Sequence, residues 1–189
     1  MPNWCMNTVR VSGPKKELKK FIETVETPES KFDFNGIVPM PEALKGITKG
    51  SCTIDGKQVN NWRVVDGKSI PVSDEELASF VEKYGARDWY DWSCENWGTK
   101  WNLDDEVTVN QFSDTEIEYT FDTAWSPPLP VIEQAAEQFP KLTFAINYEE
   151  PGNDVAGGAT FIKGRLADSF ESECEYDEDD EWVPMSKMV

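Results

Sequence analysis

The sequence predicts an α+β fold in which an antiparallel sheet is covered on one face by two amphipathic helices. Three observations predict it. Apolar side chains occupy every second position in Thr8-Val9-Arg10-Val11, in Ile117-Tyr119-Phe121 and in Leu142-Phe144-Ile146-Tyr148, the period of a half-buried strand. Two other segments carry helical stripes instead, Leu18-Phe21-Ile22-Val25 and Ile132-Ala135-Ala136-Phe139. Along the chain these elements come in the order β-α-β, an unlike middle segment, then β-β-α-β-β.

Each element has its own warrant. After the first strand, Ser12-Gly13-Pro14 supplies a turn and a proline suited to a helix start, and Thr27-Pro28 ends that helix. Phe32 to Val38 reads as a second strand interrupted by Gly36 and stopped by Pro39 and Pro41. Residues 40–104 follow as an insertion: a glycine-rich loop around 46–57, a helix, and an aromatic segment. Ser73 and Glu76 give that helix a capping-box pattern, Leu77, Phe80, Val81 and Tyr84 its stripe, and Gly85 its end. Between Trp89 and Trp101 the Trp and Tyr spacing suits a short helix closed by Gly98. A hairpin with its turn at Ser113-Asp114 comes next, then a helix opened by Ser126-Pro127-Pro128 and stopped by Pro140. Two further strands are expected, ending near Lys163. Two β-α-β halves on one sheet are ferredoxin-like logic. The expected organisation is a ferredoxin-like domain over 1–165 with a helical, Trp-rich insertion at about 40–104, and an acidic tail over 166–189.

Bulk properties narrow the function. The 189 residues hold eight tryptophans and are 39% apolar, enough to fill the core of one domain. No stretch approaches the length of a membrane span, and no secretory leader is recognisable at Met1-Pro2-Asn3-Trp4, so a cytoplasmic protein is expected. Cys5, Cys52, Cys94 and Cys174 are scattered without metal-ligand spacing, and no cofactor is expected. The chain has no histidine, which excludes a His-based triad or general base. Its net charge of −18 is uneven: +3 over residues 1–70, −14 over 71–164 and −7 over 165–189. Such a field opposes direct nucleic-acid binding. From Glu171 to Glu181, eight of eleven residues are acidic, which predicts a solvated end.

Four motifs occur in sequence: Pro2-Asn3-Trp4-Cys5-Met6-Asn7, Asn35-Gly36-Ile37-Val38-Pro39-Met40-Pro41, Asn96-Trp97-Gly98-Thr99-Lys100-Trp101, and Thr123-Ala124-Trp125-Ser126-Pro127-Pro128. Together they resemble the YubB ferredoxin-like family of plasmid and phage proteins, a domain of unknown function. The resemblance covers roughly residues 2 to 165. It implies the fold and a mobile-element setting, and no activity.

The candidate functional residues fall into three groups. Trp97, Trp101 and Trp125 either frame a pocket closed by Asn96 and Lys100, or pin the insertion onto the sheet, with Lys100 across an aromatic face. The carboxylates Asp104-Asp105-Glu106, Asp122 and Glu149-Glu150 are the available material for a histidine-free hydrolase, although no calcium loop or phosphate-binding glycine loop accompanies them. Third, an acidic face containing Asp122, Glu149, Glu150, Asp177, Glu178, Asp179 and Asp180 could match a basic partner surface as phosphates do, or simply keep the protein soluble. Taken with the mobile-element setting that the resemblance implies, the residues favour a non-enzymatic protein that binds a host or mobile-element protein through the acidic face or the Trp-rich insertion. The alternative is a small-ligand or nucleotide-binding module, and a carboxylate-based hydrolase comes after both.

Overall fold

A computed structural model describes residues 2–104, 106–177 and 182–183. In chain order the elements are β1 (Trp4–Ser12), α1 (Lys15–Val25), β2 (Thr48–Ile54), β3 (Lys57–Val65), β4 (Lys68–Pro71), α2 (Asp74–Tyr84), α3 (Trp89–Asn96), β5 (Thr108–Ser113), β6 (Glu116–Ala124), α4 (Leu129–Gln138), β7 (Thr143–Glu150), β8 (Val155–Ile162), β9 (Arg165–Ser172), β10 (Glu175–Tyr176) and β11 (Trp182–Val183). They divide into two compact units, residues 1–38 with 97–189, and residues 39–96.

The larger unit is built on a six-stranded antiparallel sheet in the order β5-β6-β1-β7-β8-β9. One crossover runs from β1 through α1 to β5, the other from β6 through α4 to β7, which is the ferredoxin-like arrangement with β1 and β6 at its centre. Alternation decides the faces. In β1, Cys5, Asn7, Val9 and Val11 are buried, while Trp4 and Arg10 are exposed. On the buried face Phe21 of α1 makes edge contacts with Phe32, Tyr119, Phe139 and Phe144, at centroid distances of 5.9, 6.3, 5.4 and 5.2 Å.

Asn7 is a buried polar side chain in that core. Its Nδ2 donates to Cys5 O at 2.8 Å, Thr123 Oγ1 at 2.9 Å and Phe121 O at 3.3 Å, tying β1 to β6 through groups that have no access to water. A buried amide used in this way fixes register as well as stability.

Two expectations for the larger unit are corrected. Residues 32–38 form no strand: Phe34–Gly36 is a 3-10 turn because the Asp33 carboxylate accepts from Asn35 N, and Phe32 and Phe34 both pack into the core from that turn. The hairpin expected with its turn at Ser113-Asp114 is present, β5 pairing with the outer edge of β6. The acidic tail expected from residue 166 begins later, since Arg165–Ser172 pairs with β8 as an edge strand. Lys163-Gly164, with φ of 55° and 76°, supplies the two-residue turn that brings it back. Glu175–Tyr176 also pairs with Trp182–Val183.

In the 39–96 unit, the segment read as a glycine-rich loop belongs to a three-stranded meander, β2-β3-β4. Asp55-Gly56 and Asp66-Gly67 turn its corners, all four with positive φ as tight hairpins require. The Ser73 hydroxyl accepts from Glu76 N at 3.2 Å, and Gly85 closes α2 with a φ of 78°. The Glu76 carboxylate does not complete the box; it pairs with Arg63 of β3. Asp88 caps α3, its Oδ1 accepting from Tyr90 N and Asp91 N at 3.0 Å each. Among the described residues no helix is long and apolar enough to cross a membrane.

Replacing Asn7 by Ala strands buried carbonyl and hydroxyl partners. The expected loss is about 2–3 kcal/mol of unfolding free energy in urea denaturation; a loss below about 0.5 kcal/mol would show that the freed groups re-pair.

Candidate functional site

The segment that follows α3 is held by its backbone as much as by its rings. Trp97 is buried, stacks obliquely against Phe34 at 5.9 Å, and donates its indole N–H to Val38 O at 2.9 Å. Gly98 has a φ of 84° and lies so close to α4 that an added Cβ would stand 2.5 Å from Pro130 Cδ and 2.9 Å from Pro127 O. Its carbonyl accepts from Ser126 Oγ at 2.6 Å, and the buried Thr99 hydroxyl donates to Ala124 O at 3.1 Å. Residues 97–99 are therefore clamped to 124–126.

That clamp presents what comes next. Trp125 sits at a φ of 67°, a left-handed conformation rare for a bulky residue, with its N–H donating to Asn3 O at 2.9 Å. Its ring and that of Trp101 share a cation: Lys100 Nζ is 4.1 Å from the Trp101 centroid and 5.2 Å from that of Trp125. Trp4, at the start of β1, lies 6.3 Å from Trp101. All three indoles remain open to solvent, Trp4 at 48%, Trp101 at 41% and Trp125 at 42%.

Trp4 and Trp101 line a groove of about 570 Å³ whose remaining wall includes Asp104, Glu106 and Asp122 beside Leu103 and Val107. Asp122 reaches it from β6, on the sheet face opposite the helices. Partial burial pushes the Asp122 carboxyl above the ordinary carboxylate range, and the charge of Glu106 adds to the shift. Behind it, on the covered face, burial pushes the Cys5 thiol up to about 12, with Glu150 and Asp122 adding to the shift and a Thr123 hydrogen bond opposing it.

The sequence candidates separate on this geometry. Trp101 lines the groove, and Lys100 and Trp125 stand beside it, whereas Trp97 is a core residue. Asn96 belongs to the 39–96 unit, where its amide donates to Trp92 O at 2.9 Å within α3. Asp122 and Glu149 flank Met6 from β6 and β7. Glu149 is largely buried, and Glu150, on the other face, accepts from Gly152 N at 3.0 Å. Asp177 is exposed after β10, and Glu178, Asp179 and Asp180 lie outside the described residues, as does Asp105. The residue that sequence reasoning missed is Trp4. Extending the Thr8-to-Val11 alternation four residues back places it on the outward face.

A ferredoxin-like sheet with an indole-walled acidic groove at one end is the class that these features define. Residues 96–186 match the family model described as the ferredoxin-like domain in Api92-like protein. Among solved structures the chain is similar to a protein api92 from Yersinia pseudotuberculosis, at 10% identity over 94% of this chain and 100% of that one, with a TM-score of 0.56. At that identity the likeness shows the fold. No curated protein matches the chain.

Gly98→Ala meets both a left-handed φ and two close contacts with the α4 segment, so it is expected to cost about 2 kcal/mol or more, read as a lowered denaturation midpoint. A second measurement concerns Asp122. A carboxyl whose pKa rises on folding binds its proton more tightly in the native state. It therefore adds stability as pH falls through the raised value and subtracts it at neutral pH. Asp122→Asn should raise the thermal midpoint at pH 7 by about 1–2 °C, a small effect because solvent screens the group, and the gain should shrink towards pH 4.

Proposed function

We propose that the chain is a YubB-type accessory protein of phage or plasmid origin that acts by binding a protein partner and carries out no chemistry of its own. One observation carries this reading: three exposed indoles, Trp4, Trp101 and Trp125, stand together beside the carboxylates of the groove. Exposed tryptophan is costly to hydrate and dominates binding energy where a partner covers it. A net charge of −18 selects basic partners, including the nucleic-acid-binding surface of a host or mobile-element protein, where carboxylates would take the place of phosphates.

The test is capture from host lysate on immobilised protein. A partner is expected at about 50 mM salt, weakened at about 300 mM as an acidic interface requires, and lost with the Trp4→Ala/Trp101→Ala double variant. Recovery of nothing at low salt, or capture indifferent to both indoles, would overturn the reading.

The groove's volume favours a second reading, a small-ligand or nucleotide module, because about 570 Å³ lies within the range of ligand pockets. A metabolite panel should then shift tryptophan emission or the thermal midpoint. A panel that moves neither sinks this alternative and leaves the first untouched.

A further inference from the structure

Several acidic side chains of the larger unit are already answered by a cation. Glu118 has Arg10 at 2.9 Å, Asp114 has Lys15 at 2.6 Å, and Glu17 has Lys141 at 3.1 Å. The groove differs. Among the described residues no Lys or Arg forms an ion pair with Asp104, Glu106 or Asp122, although all three line one concavity. The same groove is lined by the indoles of Trp4 and Trp101, rings whose faces attract positive charge. Lys100 shows that attraction within the chain, seated over Trp101 and Trp125, and it does not line the groove.

We infer that the groove bounded by Trp4, Trp101, Glu106 and Asp122 receives the guanidinium group of an arginine carried on a basic segment of the partner protein. The inference rests on the protein-binding reading above and names the chemistry of its contact. A guanidinium is the cation that suits both walls: its flat face stacks on indole while its edge donates paired hydrogen bonds to a carboxylate. An ammonium ion is smaller, more strongly hydrated and has no flat face to stack. The raised pKa of Asp122 agrees with this occupant, because the charge of an entering cation offsets the cost of its partial burial and of the neighbouring Glu106.

The test uses the full chain and three peptides, hexa-arginine, hexa-lysine and the neutral hexa-citrulline, titrated at about 50 mM salt with calorimetry and tryptophan emission. Hexa-arginine should bind and change the emission, hexa-lysine should bind more weakly, and hexa-citrulline should not bind. Asp122→Asn is near-isosteric and solvent-facing, so it keeps the fold. It should weaken hexa-arginine about three- to fivefold, the worth of one partly exposed ion pair, and Trp101→Ala should reduce the emission change. Asp168→Asn, on β9 four strands away from β6, serves as the control for the general negative field and should leave binding within about twofold. Equal affinity for lysine or citrulline peptides overturns the inference, as does hexa-arginine binding that Asp122→Asn leaves unchanged. If lysate capture nevertheless depends on Trp4 and Trp101, the partner-binding reading stands and only the assignment of the groove falls; if capture fails while the peptide results hold, the reverse is true.

Discussion

The register of β1 between β6 and β7 is the constraint on which the rest depends. Trp4 opposite Ala124, with Met6 opposite both Asp122 and Glu149, decides which side chains share the uncovered end of the sheet. Side chains alternate with a period of two, so a slip of one residue would turn Trp4 and Met6 inward and bring Cys5 and Asn7 out to water. Asn7 guards against that slip. Its amide reaches carbonyl and hydroxyl partners on β1 and β6 together, and a shifted pairing would leave them buried and unpaired.

The tryptophan-rich run divides into two jobs within five residues. Trp97 and Thr99 face inward and spend their polar atoms on Val38 and Ala124, while Gly98 permits the approach to α4. Lys100 and Trp101 are carried outward by that anchorage, with Trp125 beside them at a left-handed φ. The rigid corner and the open surface are thus one piece of construction. Energy stored in the unusual backbone of Trp125 is offset by the buried hydrogen bonds on either side of it.

Much of the larger unit was legible because its elements bury one face. The stripes of α1 and α4 and the alternation of β1, β6 and β7 are written in apolar residues that the core requires. Elements without a buried face left no such period. Every residue of β9 is exposed, so its composition reads as an acidic tail, and the polar, glycine-bearing β2 reads as a loop. In both cases the signal lay in the turns: Asp55-Gly56, Asp66-Gly67 and Lys163-Gly164. Phe32 and Phe34 misled in the opposite direction, since an Asx turn at Asp33 puts two aromatic rings in the core without a strand. The site was half legible. Composition marks Trp97 and Trp101 alike, and only the contacts of Gly98 and Val38 tell the buried ring from the open one.

The central strand also has a kinetic consequence. Asn7 meets Thr123 across 116 positions of chain, and residues 39–96 are threaded between α1 and β5. Strands β5 with β6, and β7 through β9, close through short hairpins, whereas β1 must wait for partners at the far end of the chain. Loop closure of that span is entropically slow. As the chain leaves the ribosome, the first strand made therefore stays unpaired until β6 has emerged, and until the two meet the edge of β6 that β1 will fill stands open to rival strands.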